Sequence, residues 1–171
     1  RDDAAGEAFD KAARLMGLGF PGGPEVDKKA SLSQDSYKFP RAYMNNTHDF
    51  SFSGMKTAFL NLSNSELPLT DEKISKLSNT FQEAIVDVLT KKTIEASIKF
   101  NCKGIVLTGG VAANSWLREE MARKSNMPVF IPEKKLCTDN GAMVASFVVE
   151  NSRSNLVNKA DNLNVYSVLN Y

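Results

Sequence analysis

The chain has 171 residues, 42% of them hydrophobic, and a formal net charge of +1 at pH 7. That is enough for one core, or for one lobe of a larger protein, and it gives no overall basic footprint, so a nucleic-acid partner would have to be met by a local patch or by another subunit. No run is long and apolar enough to span a bilayer, no signal peptide is visible, and Cys102 and Cys137 lack metal-ligand spacing and read as free thiols in a reducing cytoplasm.

The sequence opens at Arg1 without an initiator Met and is expected to be a piece of a longer gene product. Residues 2–13 predict a helix with acids clustered in its first turns, where they complement the positive end of the helix dipole. Glu7 and Asp10 are three apart and share a face. That face is either a solvated acidic one or one that presents a carboxylate to a ligand hydroxyl. The run Gly17-Leu-Gly-Phe-Pro-Gly-Gly-Pro24 ends the helix, since proline and glycine together forbid its continuation. A second helix is expected near Pro24, which suits a first helical position, with Glu25 and Asp27 near its start.

Residues 31–52 spread Tyr37, Phe39, Tyr43, Phe50 and Phe52 among polar residues and are expected to form short strands. His48 is the only histidine. With neither a second histidine nor a nucleophile beside it, it reads as an ordinary loop or sheet residue rather than a metal ligand or triad member. Ser53-Gly54 opens a helix through Lys56 and Phe59, with the serine as its N-cap. Residues 71–100 give the longest helical pattern, capped by Thr70. Ile74, Leu77, Phe81, Ile85, Val88 and Leu89 fall on a core stripe, and Lys91, Lys92 and Glu95 on other faces.

Residues 104–145 carry the most chemistry. Ile105-Val106-Leu107 predicts a short strand, Gly109-Gly110 a tight turn that can come close to a ligand, and the helix start that follows would favour anionic oxygen. A plain strand-to-helix turn needs the same two glycines, so on physical grounds a nucleotide site and a simple turn stand side by side. Val129-Phe130-Ile131 suggests a second strand. Thr138-Asp139-Asn140 then caps a helix carrying Ala142, Met143, Ala145 and Phe147. Asp139 is therefore an N-cap, a metal ligand or a phosphate-orienting group, and spacing does not separate these. The Asn- and Ser-rich tail after Glu150 is expected to dock on the body through Val165, Tyr166, Val168 and Leu169.

Five blocks carry a family resemblance: Asp2-Asp-Ala-Ala-Gly-Glu-Ala-Phe-Asp-Lys11, Phe20-Pro-Gly-Gly-Pro24, Asp49-Phe-Ser-Phe-Ser-Gly-Met-Lys-Thr57, Thr108-Gly-Gly-Val-Ala-Ala-Asn114 and Cys137-Thr-Asp-Asn-Gly-Ala-Met143. In this order they resemble the signature blocks of the TsaD family, tRNA N6-adenosine threonylcarbamoyltransferases once called O-sialoglycoprotein endopeptidases. The resemblance implies an α/β, actin-like (ASKHA, RNase H-like) fold of two lobes around a ligand cleft. Such enzymes pass a threonylcarbamoyl group from threonylcarbamoyl-adenylate to N6 of the adenosine next to the anticodon, in tRNAs reading codons that start with A.

By motif position, the resemblance implies that Asp10, Gly23 and Asp27 contact the nucleoside and that Asn114, with Gly109 and Gly110, binds the nucleotide. It makes Asp139 a ligand of iron or zinc, and it singles out no catalytic side chain. The family's His-x-x-x-His motif and phosphate-contacting loop are not in this sequence, and one carboxylate is too little to hold a transition metal. The chain is therefore expected to be the C-terminal portion of the enzyme: one lobe plus helical insertions, without the N-terminal lobe and inactive alone. Residues 1–100 would be a largely helical ligand-binding region, 101–150 a strand–helix nucleotide and metal region, and 151–171 a tail. Expected partners are tRNA, a TsaB-like subunit, a TsaE-like ATPase and the absent lobe, with self-association of the chain through an exposed apolar face. Two other readings are a non-catalytic TsaB-like assembly subunit, against which the retained Asn114 and Asp139 argue, and an actin-class phosphotransferase, against which the five blocks argue. The old protease label has no support, since no nucleophile stands with a base and no zinc motif is complete.

Overall fold

Six α-helices, two short 3-10 turns and a two-stranded sheet are the regular elements among the described residues, 2–44 and 47–152 of this computed structural model. The helices are α1 (Ala5–Leu15), α2 (Gly22–Ala30), α3 (Ser53–Ser65), α4 (Asp71–Lys99), α5 (Ser115–Lys124) and α6 (Gly141–Ser152). Strands β1 (Ile105–Val106) and β2 (Val129–Phe130) pair in parallel, Ile105 opposite Val129 and Val106 opposite Phe130, with α5 as the crossover that parallel strands require. The chain divides into two units, Arg1–Thr138 and Asp139–Tyr171. The second contains α6; the expected docking residues of the tail lie outside the described residues.

α4 organises the first unit. Thr70 caps it, its hydroxyl accepting from the Lys73 N–H at 3.3 Å, and Leu77, Phe81, Ile85 and Val88 are fully buried along one side. Phe81 meets Phe9 of α1 edge-on at 5.7 Å and Phe59 of α3 at 4.8 Å, and each such buried ring stabilises by about 1.5–3 kcal/mol relative to exposure. A second cluster of Val86, Ile105, Leu117 and Met121 fastens the strand–helix–strand unit to the other side of the same helix.

The short strands expected within residues 31–52 are not formed: no described residue there is a strand. The segment's backbone bonds instead to polar side chains of α4. The Tyr37 N–H donates to the Thr80 hydroxyl at 2.9 Å, the Asn79 amide donates to the Asp35 carbonyl at 3.0 Å, and Lys92 donates to three further carbonyls. Buried backbone groups must find partners somewhere, and here a helix supplies them. Lys92, read as lying away from the core stripe, is accordingly buried.

Element starts differ for similar reasons. α1 begins at Ala5 because Asp2 and Asp3 serve α3 instead. Asp2 accepts from the Ser53 N–H at 2.9 Å and from the Ser51 hydroxyl, and Asp3 pairs with Lys56. Hydrogen bonding, foremost from Ser51, holds the Asp2 carboxyl below its ordinary range. Asp2 thus supplies the cap expected of Ser53, which is the first residue of the helix. α2 starts at Gly22, two residues before Pro24.

Candidate functional site

α1 and α2 touch through a glycine. A Cβ at Gly22 would stand 2.7 Å from the Ala13 Cβ and the Asp10 Cα and 2.9 Å from the Phe9 carbonyl oxygen, so only glycine lets the first turn of α2 lie on α1. Asp10 then reaches across, one carboxylate oxygen accepting from the Gly22 N–H at 2.8 Å. This caps a helix whose own N-cap, Pro21, supplies no side-chain bond. Gly23 follows with open space where a side chain would be, and Asp27 lies just over one turn further along α2.

The facing wall is the strand–turn–helix. Gly109 takes a φ of +89°, and Gly110–Ala113 form a single tight turn that ends at Asn114. Asn114 caps α5, its oxygen accepting from the Leu117 N–H at 2.9 Å. That bond fixes the amide's orientation, so its NH2 donates the other way, to the Gln82 side-chain oxygen at 2.7 Å and to Asp27 at 3.3 Å. The second Asp27 oxygen accepts from the Ser115 N–H at 3.1 Å. α2, α4 and α5 are locked together by this one network.

Between the walls lies a cavity of about 780 Å³, within the size range of small-molecule sites. Phe9, Pro21, Pro24 and Val111 give it apolar surface, while the carboxylates of Asp10 and Asp27 and the ammonium groups of Lys28 and Lys134 give it opposed charges. Lys134 donates to the Ser115 hydroxyl at 2.6 Å. Of the residues singled out in the sequence, Asp10, Gly23, Asp27, Gly110 and Asn114 line this cavity; Gly109 sets the turn behind it. Glu7, grouped with Asp10 in the sequence, lies outside the lining and pairs with Lys11. The anionic oxygen expected at the start of α5 is supplied by the protein itself, through Asp27.

Asp139 opens the second unit and is exposed. The cap of α6 is Asn140, whose oxygen accepts from the Met143 N–H at 2.9 Å, so the capping role belongs to the neighbour of Asp139. Among the described residues no group of three or more His, Cys, Asp or Glu side chains is placed to hold a metal ion. These residues do not form a metal centre by themselves. Sequence reasoning missed Gln82, Lys28, Lys134 and Gly22. A polar residue next to Phe81 within an apolar stripe was the available signal for Gln82; nothing in the pattern marked the two lysines.

The arrangement defines a mostly helical protein with a small parallel sheet, and a cavity of small-molecule size where a helix pair meets a strand–turn–helix. Residues 1–146 match the family described as TsaD, tRNA N6-adenosine threonylcarbamoyltransferase, and the chain belongs to that family. Relatives bearing that name include proteins of Dehalococcoides mccartyi, 50% identical over 146 residues (85% of this chain, 44% of the relative), and Clostridium botulinum, 49% identical over 153 (85% and 45%). A third, from a Sulfurihydrogenibium species, is 48% identical over 147 residues (84% and 42%). The chain thus spans less than half the length of these curated relatives.

Proposed function

We propose that the chain is the C-terminal portion of a tRNA N6-adenosine threonylcarbamoyltransferase of actin-like fold, and that its cavity holds the nucleoside part of threonylcarbamoyl-adenylate. The observation that carries this is convergence: Asp27 and Asn114, 87 positions apart, are hydrogen-bonded at the edge of one cavity that Asp10, Gly23 and Gly110 also line. Asp10 and Asp27 accept from ribose hydroxyls, a task for which carboxylates have spare lone pairs even after accepting backbone bonds. Gly23 leaves room for the sugar, the apolar wall packs on the base, and Lys28 and Lys134 face the phosphate. Asn114 acts by holding Asp27 and the start of α5 in place.

In this reading the threonylcarbamoyl group passes to N6 of the adenosine beside the anticodon, and the remainder of the enzyme completes the cleft. Asp139 supplies one ligand to an iron or zinc ion whose other ligands come from that remainder. The setting is the cytoplasm, with TsaB-like and TsaE-like subunits as partners, and the chain alone is inactive. No helix among the described residues is long and apolar enough to cross a membrane.

Calorimetric titration with ATP and with a stable threonylcarbamoyl-adenylate analogue tests the site. Asp10→Asn keeps an acceptor for the Gly22 N–H while removing the charge, and Gly23→Ala fills space without touching protein. Each is expected to weaken binding by roughly tenfold, the loss of about one hydrogen bond or one close contact. Wild-type affinity in both variants would refute the assignment.

A further inference from the structure

With a net charge of +1, the chain must gather cations locally if RNA is to be met by this chain at all. One of the places among the described residues where cations gather shares no lining residue with the nucleotide cleft. Lys92 is 4% exposed, and its ammonium donates to the carbonyl oxygens of Met44, Thr47 and Asp49 at 3.0, 3.0 and 2.6 Å. These carbonyl dipoles hold Met44, Thr47 and Asp49 against α4 and leave the lysine's positive charge without a carboxylate partner among the described residues. Tyr43, Met44, Thr47 and His48 form a polar pocket of about 470 Å³ with the last turns of α4, and of its lining Lys91, Lys92 and Lys99 stand against a single acid, Glu95.

Ring faces lie in and beside this pocket: Tyr43 and His48 line it, and Phe100 adjoins it through His48. The Lys91 ammonium lies 4.4 Å over the Tyr43 ring, and that of Lys99 lies 5.7 Å from the Phe100 ring. His48, which also lines the pocket, has its ring 5.3 Å from Phe100, itself 64% exposed. Lys91 and Glu95 are separated by 4.0 Å and both exposed, a pairing too weak to hold the lysine back from another anion. Exposed ammonium groups beside exposed aromatic faces are what single-stranded nucleic acid requires, the first for phosphodiesters and the second for bases.

We propose that this pocket is a second binding site, for single-stranded RNA: Lys91 and Lys99 contact the phosphodiester backbone, and Phe100 and Tyr43 are platforms for bases. The proposal rests on the reading of the chain as part of a tRNA-modifying enzyme. A bare polyanion would need only the lysines, so the rings separate the two ligands.

The test is fluorescence anisotropy of a labelled short single-stranded RNA with the whole chain, with inorganic polyphosphate as a second probe. Lys91→Gln/Lys99→Gln is expected to weaken RNA binding about tenfold and to lower the log–log salt slope by about 1.4, from about 0.7 per phosphate neutralised. Phe100→Ala is expected to weaken RNA binding about tenfold and to leave polyphosphate unaffected. Lys135→Gln, at a lysine whose side chain is 76% exposed, serves as the unaffected control. Absence of RNA binding at low salt overturns the proposal, as does binding insensitive either to the lysine pair or to Phe100. The adenylate titration reads a different pocket, so either reading can fail while the other stands.

Discussion

Asn114 carries three hydrogen bonds on one side chain, and its neighbours decide what each does. The Leu117 N–H claims its oxygen, and Gln82 and Asp27 claim its NH2. Gln82→Leu would leave that amide with its longer bond to Asp27 alone, inside a buried site, and is expected to cost about 1–3 kcal/mol. Gln82→Glu keeps an acceptor and should lie nearer the wild type in thermal denaturation; a leucine variant as stable as the parent would show that the network does not hold the elements together. Glu120 gives a pH dependence. Hydrogen bonding from Arg123, supported by Lys124 and opposed by partial burial, holds its carboxyl at about 2 against an ordinary 4.5. A depressed carboxylate contributes stability above its unfolded value, and that contribution fades as pH falls from about 4.5 towards 2. Urea titrations of Glu120→Gln should therefore show a deficit against the wild type at neutral pH that shrinks across this window. A deficit constant with pH would contradict the assignment.

At the scale of elements, two adjacent glycines separate a packing position from one that lines the cavity. Gly22→Ala forces a methyl group against the backbone of α1 and is expected to destabilise by about 1–3 kcal/mol, whereas Gly23→Ala should change stability by less than about 0.5 kcal/mol. Denaturation midpoints of the two variants measured side by side decide this, and equal effects would mean that α2 does not approach α1 so closely. The helical stripe of α4 and its Thr70 cap were legible because period and capping chemistry are local. The irregular course of the described residues between 31 and 52 was not, because their hydrogen-bond partners are Asn79, Thr80 and Lys92, more than 40 positions away. Aromatic residues in that segment suggested strands, yet Phe39 and Phe52 are buried against helices.

At the scale of the whole chain, β1 and β2 present Val106 and Phe130, cross-strand partners that are 71% and 62% exposed. Isolated apolar residues on a surface are ordinary, but a paired apolar face on a two-stranded sheet is a surface for association. The chain is expected to self-associate in concentrated solution, and Val106→Thr/Phe130→Glu to reduce this. Light scattering that finds the unaltered chain monomeric throughout would end that expectation.

By itself the sequence determined the family, through five ordered blocks, and the helices with strong period or caps, because these depend on residues within a few positions of one another. It also singled out Asp10, Gly23, Asp27, Gly110 and Asn114, which line one cavity, while leaving them on separate elements. Only the tertiary structure brought them to one cavity and set the buried Gln82 against Asn114. It also gave Asp10 and Asp27 backbone N–H partners of their own and assigned the α6 cap to Asn140 rather than Asp139. Those outcomes turn on where buried polar groups find partners, and a polar group's partner is chosen by packing across the fold, which no local pattern encodes.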